Sequence, residues 1–286
     1  YFWAPRRYSI RKSLMTPKVM KQSHIDLFHC TFEMLLTSLA QFNLIMTLLR
    51  KLHTAYGFIV FALLFLIFYP LFLIPILFKN QFHLIGIFNR WWAKLLFILV
   101  FLPFKVDCRS KLDSGKQYIF CPNHFSYLDI PTMGLNPINT IFVGKSEVEK
   151  VPLFGFMYRK LHITVDRNKL KSKFKSLKRS MEAIDEGKSL VIYPEGGIIT
   201  KHPPQITQFK DGAFRIAIEK QIPIVPVTIP FNWIILPDDP LILHRMKILV
   251  IFHKPIETKG LELSDVDSLK EAVYKVIETE LKKYEN

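Results

Sequence analysis

The residues Asn123-His124-Phe125-Ser126-Tyr127-Leu128-Asp129 place a base and a carboxylate about one turn apart. A histidine that donates Nδ1–H to such an aspartate is held in one tautomer, and its Nε2 lone pair is left as a base. The pair is two-thirds of a Ser-His-Asp triad, but the chain contains no Gly-x-Ser-x-Gly elbow. Ser126 lies only two residues from His124 and reads as structural. A base and its orienting carboxylate without a protein nucleophile suit an enzyme that activates the hydroxyl of a substrate. Standing alone, the motif could equally be a surface-loop histidine with an aspartate nearby by chance.

A second turn repeats the arrangement. The segment Val191–Gly197 (VIYPEGG) is an apolar strand ending in Pro194, Glu195, Gly196 and Gly197. Glycines let backbone amides approach an anion, and a carboxylate there can order the loop. Between the two turns, Lys145, Arg159, Lys160 and Arg167 are candidate phosphate partners or simply solvated surface charges. Gly144-Lys145-Ser146 looks like the tail of a P-loop, but Asn139 stands where its first glycine belongs, which argues against a P-loop NTPase.

Both turns need strands to carry them. Apolar runs at Tyr118–Cys121, Asn139–Val143, Leu190–Tyr193, Ile224–Ile229 and Lys247–Phe252 read as strands, several of them covered on both faces. Leu170, Phe174, Leu177, Met181 and Ile184 form the inner stripe of an amphipathic helix closed by Gly187. Its outer face carries Lys169, Lys171, Lys173, Lys175, Lys178 and Arg179, either solvated or against anionic headgroups. Phe214–Lys220 fits another helix, and Ser264 reads as the cap of a last one. Alternating strands and helices predict an α/β fold, and in such sheets ligands sit at the carboxyl ends of strands.

Taken together, NHxxxxD at Asn123–Asp129, Lys145 followed by PLFG and VDR, YPEG, and IPIVPV at Ile222–Val227 resemble the four-block pattern of the glycerophosphate acyltransferase superfamily. The pattern is most similar to that of 1-acyl-glycerol-3-phosphate (lysophosphatidic acid) acyltransferases. The resemblance covers about residues 46–280. It implies a mixed α/β sheet flanked by helices and preceded by a two-helix membrane-associating motif. It implies an O-acyltransferase of phospholipid synthesis that moves a fatty acyl group from acyl-CoA or acyl carrier protein onto lysophosphatidic acid, giving phosphatidic acid. No bound cofactor or metal is implied. His124 and Asp129 are then catalytic, and Asn123, Lys145, Arg167 and Lys210 meet substrate together with Pro194, Glu195, Gly196 and Gly197. One departure matters: the family's third block usually runs Glu-Gly-Thr-Arg, its arginine holding the acceptor phosphate, whereas this chain has Glu195-Gly196-Gly197-Ile198. The phosphate must then be met by Lys145, Arg167, Lys201 or Lys210, or the acceptor is a lysolipid with an amino-acid headgroup. An inert lipid-binding membrane protein and an acyl-thioester hydrolase are the other readings.

Composition points to lipid. Half of the 286 residues are hydrophobic, Phe occurs 25 times, and Tyr56–Phe78 is an uncharged apolar run. About 20 such residues span a bilayer core. Leu84–Phe104 is apolar too, with Arg90, Trp91, Trp92 and Lys94 suggesting interface chemistry. Pro70 and Pro75 are expected to bend or break the first segment. Arg50 and Lys51 before the pair and Lys105 after it predict that both ends stay cytoplasmic, on the inner face of the plasma membrane. The expected form is a hairpin in one leaflet, with two full crossings as the alternative. A net charge of +15 needs an anionic partner. With no zinc-finger spacing, RNP-like strand or helix-turn-helix signature, membrane lipid is preferred to nucleic acid. Three cysteines without metal spacing (Cys30, Cys108, Cys121) predict a reducing compartment. The expected division is an extension at 1–45, possibly disordered, a membrane hairpin at 46–104 and the α/β domain at 105–286, with Met46 as the natural start.

Overall fold

The computed structural model describes residues 17–284. The chain divides into two compact units, Tyr1–Arg50 and Lys51–Asn286. Helix α1 runs Pro17–Leu77 and so belongs to both. The expected irregular extension at 1–45 falls outside the described residues for 1–16, and from Pro17 onward the backbone is helical. Among the described residues one helical stretch, Met34–Leu77, is long and apolar enough to cross a membrane, by length and composition. Pro70 and Pro75 lie inside α1 without ending it.

A short turn leads to α2 (Leu84–Leu99). Val60, Leu64, Phe68 and Phe72, four residues apart, bury one face of α1 in the core, while Ile59, Leu63, Leu66 and Ile67 remain exposed. Ring contacts Phe61–Trp92 and Phe72–Phe88 lock α1 to α2. Arg90 departs from its expected interfacial role, because its guanidinium donates to the carbonyls of Asn136 and Pro137 at 3.1 and 3.2 Å.

The α/β part comprises β1 (Phe104–Cys108), β2 (Ile119–Pro122), α3 (Asp129–Met133), β3 (Thr140–Lys145), α4 (Phe154–Leu161), β4 (Ile163–Val165), α5 (Leu170–Asp185), β5 (Ser189–Ile192), α6 (Gly212–Lys220), β6 (Ile224–Thr228), α7 (Asn232–Ile235), β7 (Ile248–Phe252) and α8 (Val266–Leu281). The strands form one mixed sheet in the order β1-β7-β6-β2-β5-β3-β4. All neighbours are parallel except β6 and β7. Side chains alternate across it: Phe120, Val191, Val225 and Val227 enter the core shared with α1 and α2. Ile119, Cys121, Leu190 and Ile224 enter a second core with residues of α5, α6 and α8.

Two local expectations are corrected. The start of α8 is organised by a capping box of Glu262 and Asp265 in the preceding 3-10 turn, not by Ser264. The stripe of α5 is only partly inward: Ile184 is buried, Leu177 and Met181 are half-buried, and Leu170 and Phe174 are exposed.

The seat of α2 on the sheet is close. A Cβ on Gly86 would stand 2.8–3.0 Å from Asn139, whose Nδ2 donates to the Phe82 carbonyl. Gly86→Leu should therefore destabilise the fold by about 1–3 kcal/mol through overpacking. A lowered melting temperature in detergent checks this, and unchanged melting would place α2 elsewhere.

Candidate active site

β2 lies between β6 and β5, so three strand ends converge on the turn that follows it. Asn123 is the first residue of that turn and is fully buried. Its Nδ2 donates to the Ile229 carbonyl at 3.0 Å, and its Oδ1 accepts from the Ile229 N–H at 2.7 Å. The side chain that was expected to meet substrate is thus engaged in tying the end of β2 to the end of β6.

His124 and Asp129 meet. Nδ1 of His124 lies 3.0 Å from Asp129 Oδ2, and the carboxylate fixes it as the donor, leaving Nε2 as the base. The same Oδ2 accepts from the backbone N–H groups of Phe125 and Ser126 at 2.8 and 2.9 Å. Oδ1 accepts from Asn232 Nδ2 at 2.9 Å. Tyr193 stacks on the His124 ring with centroids 4.0 Å apart, and its hydroxyl donates to the Asp129 carbonyl at 3.0 Å. Ser126 donates to the Leu236 carbonyl at 2.6 Å, a structural bond as expected.

Glu195 is fully buried, and its Oε1 accepts the His124 backbone N–H at 2.7 Å. Its Oε2 accepts from the backbone N–H and hydroxyl of Thr207 at 3.2 and 3.1 Å. Burial pushes this carboxyl up to about 7, against the pull of those donors. Glu195 and buried Pro194 therefore shape the loop from behind. The His124 amide is committed to Glu195, and the Gly196 amide to the Tyr193 carbonyl at 3.0 Å. Gly196 and Gly197 adopt φ of 82° and 156°, where a side chain is strained.

A cavity of about 850 Å³ opens over the imidazole. His124, Tyr193, Gly196, Gly197, Lys145 and Arg167 contribute to its wall, as do Phe58, Phe61 and Phe65 of α1 and Trp92 and Leu96 of α2. The candidate cations separate by position. Lys145 pairs with Glu147 at 3.2 Å, Arg159 pairs with Glu149 at 3.8 Å, and Lys201 is exposed and off the wall. Arg167 comes over Gly197, its Nη1 3.0 Å from where a Cβ would stand. The Lys210 side chain is exposed and outside the cavity lining, and it covers Gly196 from the next segment, with Cε 2.8 Å from the equivalent point. Burial lowers the pKa of both, and Arg167 lowers that of Lys210 further.

A second wall histidine, His162, is a poor rival base: burial pulls it down to about 3, and its Nδ1 faces the Phe142 N–H at 3.3 Å. Among the described residues no cluster of His, Cys, Asp or Glu could hold a metal ion.

Residues 104–230 match the family model described as Acyltransferase. Among relatives, the chain is 30% identical over 175 residues to the chloroplastic 1-acyl-sn-glycerol-3-phosphate acyltransferase BAT2 of Brassica napus, covering 59% of this chain and 50% of that protein. It is 28% identical over 187 residues to the 1-acyl-sn-glycerol-3-phosphate acyltransferase of Saccharomyces cerevisiae, covering 64% of this chain and 61% of the yeast protein. The chain thus spans between half and about three-fifths of the length of these curated relatives. The crystal structure of the 1-acyl-sn-glycerophosphate (LPA) acyltransferase PlsC from Thermotoga maritima shares the fold, with a TM-score of 0.68 at 20% identity, covering 82% of this chain and 97% of that one.

The site uses two residues that sequence reasoning passed over. Tyr193 stood inside the VIYPEGG block without a signal for stacking. Asn232 lies 103 residues from Asp129 and had no local signal at all.

The raised Glu195 pKa has a pH consequence. A carboxyl that binds its proton more tightly when folded contributes stability below its unfolded value, and loses it as pH rises through the folded value. Folding stability should therefore decline between about pH 4.5 and 7 and level off above, by at most about 3 kcal/mol from this group. Melting curves of the parent and Glu195→Gln across that range check it: the variant should show the shallower slope.

Proposed function

We propose that the protein is an O-acyltransferase that moves a fatty acyl group from a thioester donor, acyl-CoA or acyl carrier protein, to the free hydroxyl of 1-acyl-glycerol-3-phosphate. The product is phosphatidic acid. The observation that carries this reading is an oriented imidazole on the wall of a cavity whose remaining surface is largely apolar. Its volume falls within the ~300–1,000 Å³ of ligand sites, and its aromatic wall suits an acyl chain.

In the proposed reaction His124 Nε2 takes the proton of the acceptor hydroxyl as that oxygen attacks the thioester carbonyl. Asp129 holds the ring and stabilises the imidazolium. The Gly197 and Ile198 amides, which have no hydrogen-bond partner among the described residues, border the cavity where an oxyanion can be met. The tetrahedral adduct expels sulfur, the new ester bond remains, and the imidazolium proton passes to the thiolate.

Arg167 and Lys210 support a phosphate-bearing acceptor. Two crowded, partly desolvated cations at one glycine turn repel each other unless an anion lies between them. They take up the task left open by Ile198. The uncharged run Tyr56–Phe78, with Arg50 and Lys51 before it and Lys105 after α2, supports attachment to the cytoplasmic face of the inner membrane.

Incubating the protein with labelled acyl-CoA or acyl carrier protein, with and without lysophosphatidic acid, tests the reading. Diacylated product is expected, and free fatty acid alone would make it a hydrolase. His124→Ala should lower transfer about 10²- to 10⁴-fold, and full activity in that variant would remove His124 from the chemistry. Arg167→Gln should raise KM for lysophosphatidic acid about 10- to 100-fold, the loss of one charged hydrogen bond. It should leave an acceptor without phosphate unaffected. Preference for an amino-acid lysolipid in the parent would replace the acceptor named here.

A further inference from the structure

The stripe on α5 is left half uncovered. Leu170 and Phe174 are 68% and 63% exposed, one turn apart on the same side of the helix. At 3.6 residues per turn, Lys171 and Lys178 flank them on one side and Lys173 on the other, all exposed. These lysines, and Lys175, have no acidic partner among the described residues. Lys169 is paired with Asp166, and Arg179 with Glu182 and Glu186. The first turn of α5 contains no acid. Cations there oppose the helix dipole, so the arrangement works against the helix and needs a reason outside it.

The position supplies one. α5 follows the edge strand β4, whose end Val165 is in register with Lys145, the end of β3. The segment after β3 emerges at the same rim with Val151 and Leu153 exposed, and its Phe154 packs on Phe65 of α1 at 5.4 Å. The apolar helix therefore reaches this rim, and Arg167 and Asn168, just before α5, line the cavity.

We propose that the amino-terminal half of α5 docks on an anionic bilayer surface, with Leu170 and Phe174 entering the acyl boundary and the flanking Lys171, Lys173 and Lys178 meeting lipid phosphates. This goes beyond the acyl-transfer reading and does not depend on it. An acidic carrier protein would satisfy the charges too, but α1 at the same rim, with its outer apolar face exposed, favours lipid.

The test is the full chain carrying Phe174→Trp in nanodiscs of equimolar phosphatidylcholine and phosphatidylglycerol with brominated acyl chains, read as the difference in emission from the parent. Residue 174 is mostly exposed, so the substitution leaves the core untouched. The added emission should be quenched several-fold more than in pure phosphatidylcholine discs. Adding Lys171→Gln and Lys178→Gln should abolish that difference. Equal quenching in both lipids, continued access of an aqueous quencher, or protection only when an acidic carrier protein is added would each overturn the proposal.

Discussion

Asp129 accepts four hydrogen bonds on two oxygens, and the active loop is wound around it. Three come from its own turn: the His124 ring and the amides of Phe125 and Ser126. The fourth, from Asn232, comes from a helix that follows β6. A carboxylate offers about two acceptor positions per oxygen, and here three donors crowd onto Oδ2 while Oδ1 takes one. That shared Oδ2 makes the loop and the imidazole a single object: the ring donates to the same oxygen that fixes the backbone amides of Phe125 and Ser126. Tyr193 adds the remaining restraint by stacking on the ring while donating to the same residue's carbonyl.

Strand order explains why these restraints can converge. Because β2 is flanked by β6 and β5, its end is served from both sides. The β6 side provides Ile229, clamped by Asn123, and then Asn232. The β5 side provides Tyr193 and Glu195. Glu195 shows the competition that such a position creates. Three donors favour its charged form, yet the loss of water outweighs them and raises its pKa. A buried carboxyl of this kind costs stability, and here it fixes the backbone of His124.

What could be read from the sequence was local. The His124–Asp129 spacing sets its own geometry, and the long apolar and β-branched runs declared five strands and the amphipathic helices. β4 (ITV) is only three residues long, and in β1 (FKVDC) Lys105 and Asp107 interrupt the apolar run, so neither stands out. The contacts from Asn232 and from Ile229 depend on strand order, which no short window contains. Asn123 and Glu195 were recognised as part of the site, but their direction was not legible. A polar residue beside a catalytic one can face substrate or scaffold, and only the neighbouring strands decide which. The α5 stripe erred for a related reason: periodicity reports which side of a helix is apolar, whereas the extent of the sheet beneath decides how much of it is covered.

The cavity wall carries an argument about orientation. Where α1 and α2 form it, phenyl and indole groups dominate; where the strand-end loops form it, Arg167 and the glycine turn do. A molecule with an ionic head and a long chain has one comfortable placement in such a space. The reverse placement would strip water from a charge among aromatic rings, which is strongly unfavourable, and leave the crowded cations without an anion. In the proposed transfer, an acceptor hydroxyl lying between head and chain would then be delivered to the His124 side without any dedicated contact to the hydroxyl itself. Selection of this kind rests on the contrast between two solvents within one cavity, and it does not require a cation at position 198. Any cation that keeps the polar end polar preserves the contrast, and Arg167 is already there.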